Sequence, residues 1–185
     1  MADARRLDTA LVHDALRAPS SALRAAAARA IGQVHGDAMA PLLRTLVSDP
    51  DTAVAANAAF ALGLMPRDSS SVPALTSALG APDPVAVEAA WALGKIGTPA
   101  RPSIESALAS DSIRPSVTRQ LLLSATMLRP VPVAHVVRYL HSPDAELRWR
   151  AAYAIARPYV AAGVRPVLEL RHDPNALVRA QVARA

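Results

Sequence analysis

The chain has 185 residues, 52% of them apolar, with six aromatic residues and no cysteine. That is enough apolar material for one core, and the missing cysteine excludes disulfides, thiolate catalysis and thiolate metal sites. The net charge of +5 is uneven: residues 1–100 carry eight basic and nine acidic side chains, residues 101–185 twelve and six, so only the second half has the surplus that attracts nucleic acid or another acidic partner, or that keeps a helical exterior soluble.

In chain order the predicted elements come in pairs of helices, as the alanine and leucine content favours. The first unit, about 5–32, turns at Ala18-Pro19 and ends in Ala30-Ile31-Gly32. The second, 38–63, begins with Pro41 and Leu42, Leu43, Leu46 and Val47 at helical spacing, turns at Asp49-Pro50-Asp51 and ends in Ala61-Leu62-Gly63. The third, 70–94, turns at Ala81-Pro82-Asp83-Pro84 and ends in Ala92-Leu93-Gly94. The fourth, 99–125, ends in Leu123-Ser124-Ala125 and is the poorest copy, with Ser116, Gln120, Leu121 and Ser124 where its neighbours have valine, alanine, alanine and leucine. The fifth, 131–157, carries Val133, Val136, Val137 and Leu140, turns at Ser142-Pro143-Asp144 and ends in Ala154-Ile155-Ala156. The sixth, 163–185, turns at Asp173-Pro174-Asn175. Asp and Ser cap helices and proline suits a first turn; Pro73, Pro102, Pro132 and Pro166 are placed near first-helix starts like Pro41.

Positions 32, 63, 94, 125 and 156 stand 31 apart, and nine residues before them come Leu23, Val54, Val85, Ser116 and Leu147, with Val178 next. Neither helix of a pair buries its stripe alone, so neighbours must stack. The expected fold is all-α, a right-handed α-solenoid of six two-helix repeats with a 31-residue period, forming one domain over 1–185. The sixth unit stops short of its expected end with no polar capping helix, which makes a longer natural chain, or pairing with another chain, the expectation. No apolar run approaches the ~18 residues of a membrane span, and Met1–Thr9 is too polar for a signal sequence, so a cytoplasmic location is expected.

Leu147-Arg148 with Ala151, Ala152, Ala154 and Ile155, and the same phrase less its arginine at Val54-Ala55 and Val85-Ala86, resembles HEAT repeats of the short variety also seen in phycobilisome lyases. The resemblance covers nearly the whole chain and implies the fold; this architecture serves scaffolds, transport receptors, lyases and DNA-repair glycosylases alike. Phe60, Trp91 and Trp149-Arg150-Ala151-Ala152-Tyr153, each beside its Ala-rich phrase, give a narrower likeness to the repeats that precede a bacterial cyclophilin-type peptidyl-prolyl isomerase domain. No isomerase domain is present in these residues, so no such activity transfers.

On a wheel of the second helix the residue three before each repeat end points away from the core. That column reads Arg29, Phe60, Trp91, Leu122, Tyr153, Arg184, and the column four earlier adds Val87 and Trp149. In HEAT-like stacks the second helices line the concave face. The expected partner-binding strip is therefore Phe60, Val87, Trp91, Leu122, Trp149 and Tyr153, because large exposed apolar patches mark contact surfaces; the competing reading is that curvature tucks these side chains between repeats. Arg119, Arg150 and Arg184 form the expected basic surface, with Glu88 and Arg119 placed to pair across adjacent repeats. Arg148 and Arg179 are expected to reach turn aspartates such as Asp144 or Asp173.

None of His13, His35, His135, His141 and His172 falls in a ligand motif, and the glycines belong to helix ends, not to a phosphate loop. No catalytic residue, metal or cofactor is assigned. The sequence points to a non-catalytic scaffold binding a protein, a peptide or an adjoining domain. The alternative is a nucleic-acid binder resembling HEAT-like alkylpurine DNA glycosylases, using the basic half; its difficulty is that Glu88 is the sole carboxylate on the concave columns. A bilin lyase has no matching catalytic motif.

Overall fold

A computed structural model describes residues 9–34, 37–65, 68–158 and 160–185. These residues form six helix pairs: α1 (Thr9–Leu16) and α2 (Ser21–Val34), α3 (Ala40–Leu46) and α4 (Thr52–Gly63), α5 (Val72–Ala78) and α6 (Asp83–Ile96), α7 (Arg101–Ala109) and α8 (Pro115–Ala125), α9 (Val133–Val136) and α10 (Ala145–Ala156), and α11 (Ala161–Leu168) and α12 (Ala176–Val182). Short 3-10 turns extend α9 over Val137–His141 and α11 over Glu169–His172. The expected right-handed α-solenoid is the observed architecture, and no strand occurs among the described residues. No described helix is long and apolar enough to cross a membrane. His35 lies outside the described residues.

The turn residues work as caps. Asp51 accepts the N–H groups of Ala53 and Val54, Asp144 that of Glu146, and Asn175 those of Leu177 and Val178, each satisfying donors a helix start leaves unpaired. Pro41, Pro73 and Pro102 occupy first-turn positions, where the missing N–H costs little. Pro166 differs from expectation: it sits inside α11, not at its start.

The second helices pack in an unbroken series from α2 to α12, while first helices touch one another sparsely. The second helices are thus the closely packed row of the stack, the row expected to line its concave face. The second helices of repeats 2 and 3 present two pairs of buried residues to the core, Val54, Ala55, Ala58 and Ala59 in α4 and Val85, Ala86, Ala89 and Ala90 in α6. The small residue that ends each repeat has a steric cause. A Cβ on Gly63 would stand 2.5 Å from the Trp91 ring and 2.9 Å from Ala92 Cα, and one on Gly94 would stand 2.6 Å from Ser124 Cβ. The next second helix crosses there almost at backbone contact.

The fourth repeat corrects the strict 31-residue period. In α8 the buried pairs are Val117 with Thr118 and Leu121 with Leu122, and the residues left partly open are Arg119, Gln120 and Leu123. That is the α6 pattern displaced by 32 residues, with Ser124 against Gly94 in the role Ala92 plays against Gly63. The turn at 110–114 supplies the slack, with Ile113 packed on the core. The repeat is a normal copy one residue out of phase.

Along the turn-side edge, arginines tie neighbouring repeats. Arg148 makes two bonds to Asp173, at 2.7 and 3.0 Å, and donates to the carbonyls of Ser142 and Pro143. Arg24 does the same with Asp49 and the carbonyls of Ala18 and Pro19. These hydrogen bonds hold the Asp173 and Asp49 carboxyls below the usual carboxylate range. The expected partner of Arg148 is thus Asp173 of the next turn, while Arg179 bonds the carbonyls of Asp173 and Pro174. Arg119 does not pair with Glu88; it reaches forward to Asp144 at 2.7 Å.

Candidate functional site

The outward face of the second helices carries the expected aromatic residues, with one correction. Phe60, Val87, Trp91, Trp149 and Tyr153 are all half-buried, whereas Leu122 is fully buried. The one-residue phase shift turns Leu122 into the core and puts Leu123 in the outward row. The observed strip is therefore Phe60, Trp91, Leu123 and Tyr153, flanked by Val87 and Trp149. The signal for this was present in Val117, Leu121 and Leu122, which are core-type residues one place after the polar Ser116 and Gln120.

Phe60 and Trp91 stack with ring centroids 5.1 Å apart and planes 15° from parallel, joining repeats 2 and 3. Trp149 and Tyr153, one turn apart on α10, stack at 5.6 Å and 16°. Cations close both stacks: Arg29 lies 5.9 Å from the Phe60 centroid and Lys95 5.8 Å from that of Trp91, while Arg150 and Arg157 stand 5.5 and 5.6 Å from Trp149 and Tyr153. Such contacts are attractive through the ring quadrupole. Arg29 heads the expected column, one repeat before Phe60, whereas Lys95 and Arg157, each one turn after its ring, were not part of the expected site.

Two of the expected basic residues are already engaged. Arg119 is paired with Asp144, and Arg150 with Glu146 at 2.7 Å on its own helix. Arg184 is exposed at the far end of the row. His141 and His172 are exposed on the turn edge, and no group of three or more metal-ligating side chains occurs among the described residues.

Glu88 is the acidic exception on this wall. Burial pushes its carboxyl above the usual range, and the charge of Arg29 draws it part of the way back. A carboxyl raised on folding gives its full contribution below its unfolded pKa and loses it as pH rises through the folded value. Glu88→Gln should therefore raise the melting temperature at neutral pH, with the gain vanishing toward about pH 4; differential scanning calorimetry across that range checks it.

The family model of HEAT repeats matches residues 39–125. No curated protein matches the chain. Among solved structures, an engineered protein superposes with a TM-score of 0.68 at 19% identity, covering 97% of this chain and 97% of that one. The complex of CpcE and CpcF of phycocyanin lyase from a Nostoc species gives 0.68 at 19% identity over 94% of this chain and 74% of that chain. A chain from a structure on microtubule plus end tracking gives 0.60 at 19% over 93% and 87%. At such identities the likeness establishes the fold, and it lends no support to the narrower likeness with cyclophilin-linked repeats.

Proposed function

We propose that this HEAT-repeat solenoid is a non-catalytic scaffold that holds a peptide segment or partner domain along its concave wall, with Phe60, Trp91, Leu123, Trp149 and Tyr153 as the contact strip. The observation that carries this reading is the pair of half-buried, cation-backed aromatic stacks on the outward face of the second helices, one joining repeats 2 and 3 and one on repeat 5. Aromatic anchors dominate interface energetics. The phycocyanin lyase relative in fold was solved as a complex of two chains, which accords with a surface used for protein contact.

The engagement of Arg119 and Arg150 by Asp144 and Glu146 weighs against the nucleic-acid reading, since phosphate contacts need cations free to release counterions. The test has two arms. A random peptide library is selected on the wild type and counter-screened on Trp91→Ala with Trp149→Ala; labelled single- and double-stranded DNA are titrated at low and moderate salt. The expected result is peptides that depend on both tryptophans and respond weakly to salt. DNA binding that falls steeply with salt and disappears in Arg119→Ala with Arg150→Ala would reverse the assignment.

A further inference from the structure

The arginine ties of the turn-side edge are not complete. At the first junction the Arg24 Nη1 donates to the carbonyls of Ala18 and Pro19 at 2.9 and 3.0 Å; at the fifth, Arg148 donates to Ser142 and Pro143 at 2.8 and 3.1 Å; in the sixth repeat Arg179 holds Asp173 and Pro174 at 2.8 and 3.1 Å. Three copies of one cradle show what it accepts: a guanidinium lying across two successive turn carbonyls. In the second repeat the arginine position is Ala55 and the carbonyls are those of Asp49 and Pro50. The aspartate that would take the other edge of the guanidinium, 25 residues on, is replaced by Gly80.

The junction between repeats 2 and 3 also holds an opening in the surface. A cavity of about 340 Å³ lies between the two turns, its wall part apolar, with Val47, Ala55 and Val85, and part polar, with Ser48, Thr52 and Ser77. The third repeat likewise lacks this arginine, with Ala86 in its place, but Arg114 folds back to the carbonyl of Ala81 and to Asp83. Among the described residues no side chain bonds the carbonyls of Asp49 and Pro50.

We infer that this notch is a socket for an arginine side chain of a partner protein, the guanidinium lying across the carbonyls of Asp49 and Pro50 as Arg24, Arg148 and Arg179 lie across theirs. The apolar part of the wall suits the methylene stem, and in each of the three cradles a single guanidinium nitrogen, Nη1, donates to both carbonyls. The socket is separate from the concave strip and stands or falls independently of it.

The experiment titrates the isotopically labelled chain with ethylguanidinium chloride and, in parallel, ethylammonium chloride, following backbone amide shifts by NMR. Saturable shifts confined to the turns at 49–53 and 80–85 are expected with ethylguanidinium, with a midpoint in about the millimolar range for so small a ligand, and none with ethylammonium. Ala55→Arg fills the cradle from within and should abolish the response; Ala81→Leu, on the opposite wall, blocks the slot should that variant not fold. Shifts that spread without saturating, that are equal for the two cations, or that persist in the blocked variant would overturn the proposal. A dimer that Ala55→Arg dissolves would overturn the assignment to a separate partner.

Discussion

Gly94→Val should destabilise the chain by about 3 kcal/mol or more and separate it into two melting units. The added Cβ would lie 2.6 Å from Ser124 Cβ and 2.9 Å from Ser124 Cα. Because one obstacle is backbone, no rotamer change relieves the clash, and α6 and α8 must move apart. The shift also breaks the bond from the Ser124 hydroxyl to the Ala90 carbonyl, 2.8 Å long and buried. Overpacking a dense site costs ~1–3 kcal/mol, and losing a buried hydrogen bond adds ~1 kcal/mol or more. In a stack of repeats each unit depends on its neighbours, so repeats 1–3 and 4–6 should then unfold at different urea concentrations. Gly80→Ala is the control: its Cβ would meet nothing nearer than 3.6 Å, and the transition should stay single. A single unshifted transition for Gly94→Val would show that the junction yields more readily than its geometry implies.

Trp91→Ala should lose about 2 kcal/mol of folding stability and about 30-fold or more in affinity for any ligand of the concave strip. Position on the wheel alone predicts almost no effect on folding, since the side chain points away from the core. The structure corrects that: the indole covers Gly63 of the preceding repeat, stacks on Phe60 and packs against the core edge. Truncating a buried aromatic costs ~3–5 kcal/mol, and Trp91 keeps one side open, which places it below that range. Central aromatic anchors contribute ~2 kcal/mol or more to binding, a factor of about 30. Trp91→Phe retains the stack with Phe60 and should recover most of the stability. The two losses are read separately, by urea denaturation and by titration with a selected peptide; a variant that unfolds no more easily and binds as tightly as the wild type would remove Trp91 from both roles.

The fold was readable because each repeat restates the same steric problem. Gly32, Gly63 and Gly94 recur where one second helix crosses the next, and Asp51, Asp144 and Asn175 recur where a helix needs its first donors paired. The site was only partly readable. Counting by 31 placed Leu122 in the strip, although the residue types around it, Val117, Leu121 and Leu122, already favoured a frame one place later. Pairings between side chains were harder still. A count of 31 matches Glu88 with Arg119, but in the observed frame Glu88 matches Gln120 and Arg119 matches Val87, and Arg119 reaches the turn of repeat 5, where it pairs with Asp144. A helical wheel gives direction within one helix; it says nothing of how far along the stack a long side chain extends.

The single-residue slip in the fourth repeat also sets the rules for editing this chain. From Val54 to Val85 is 31 residues, from Val85 to Val117 is 32, and from Val117 to Leu147 is 30. Excising one unit therefore keeps the downstream helices facing the right way only when its length matches the local interval: 31 residues between the second and third repeats, 32 between the third and fourth. A uniform cut of 31 across the latter boundary would rotate α8 by about 100°, exposing Leu122 and burying Leu123. The same arithmetic explains why the array regains its frame by Leu147: the long step and the short one cancel, so that repeats two to four can be removed or duplicated as one block of 93 residues while the downstream helices keep their facing.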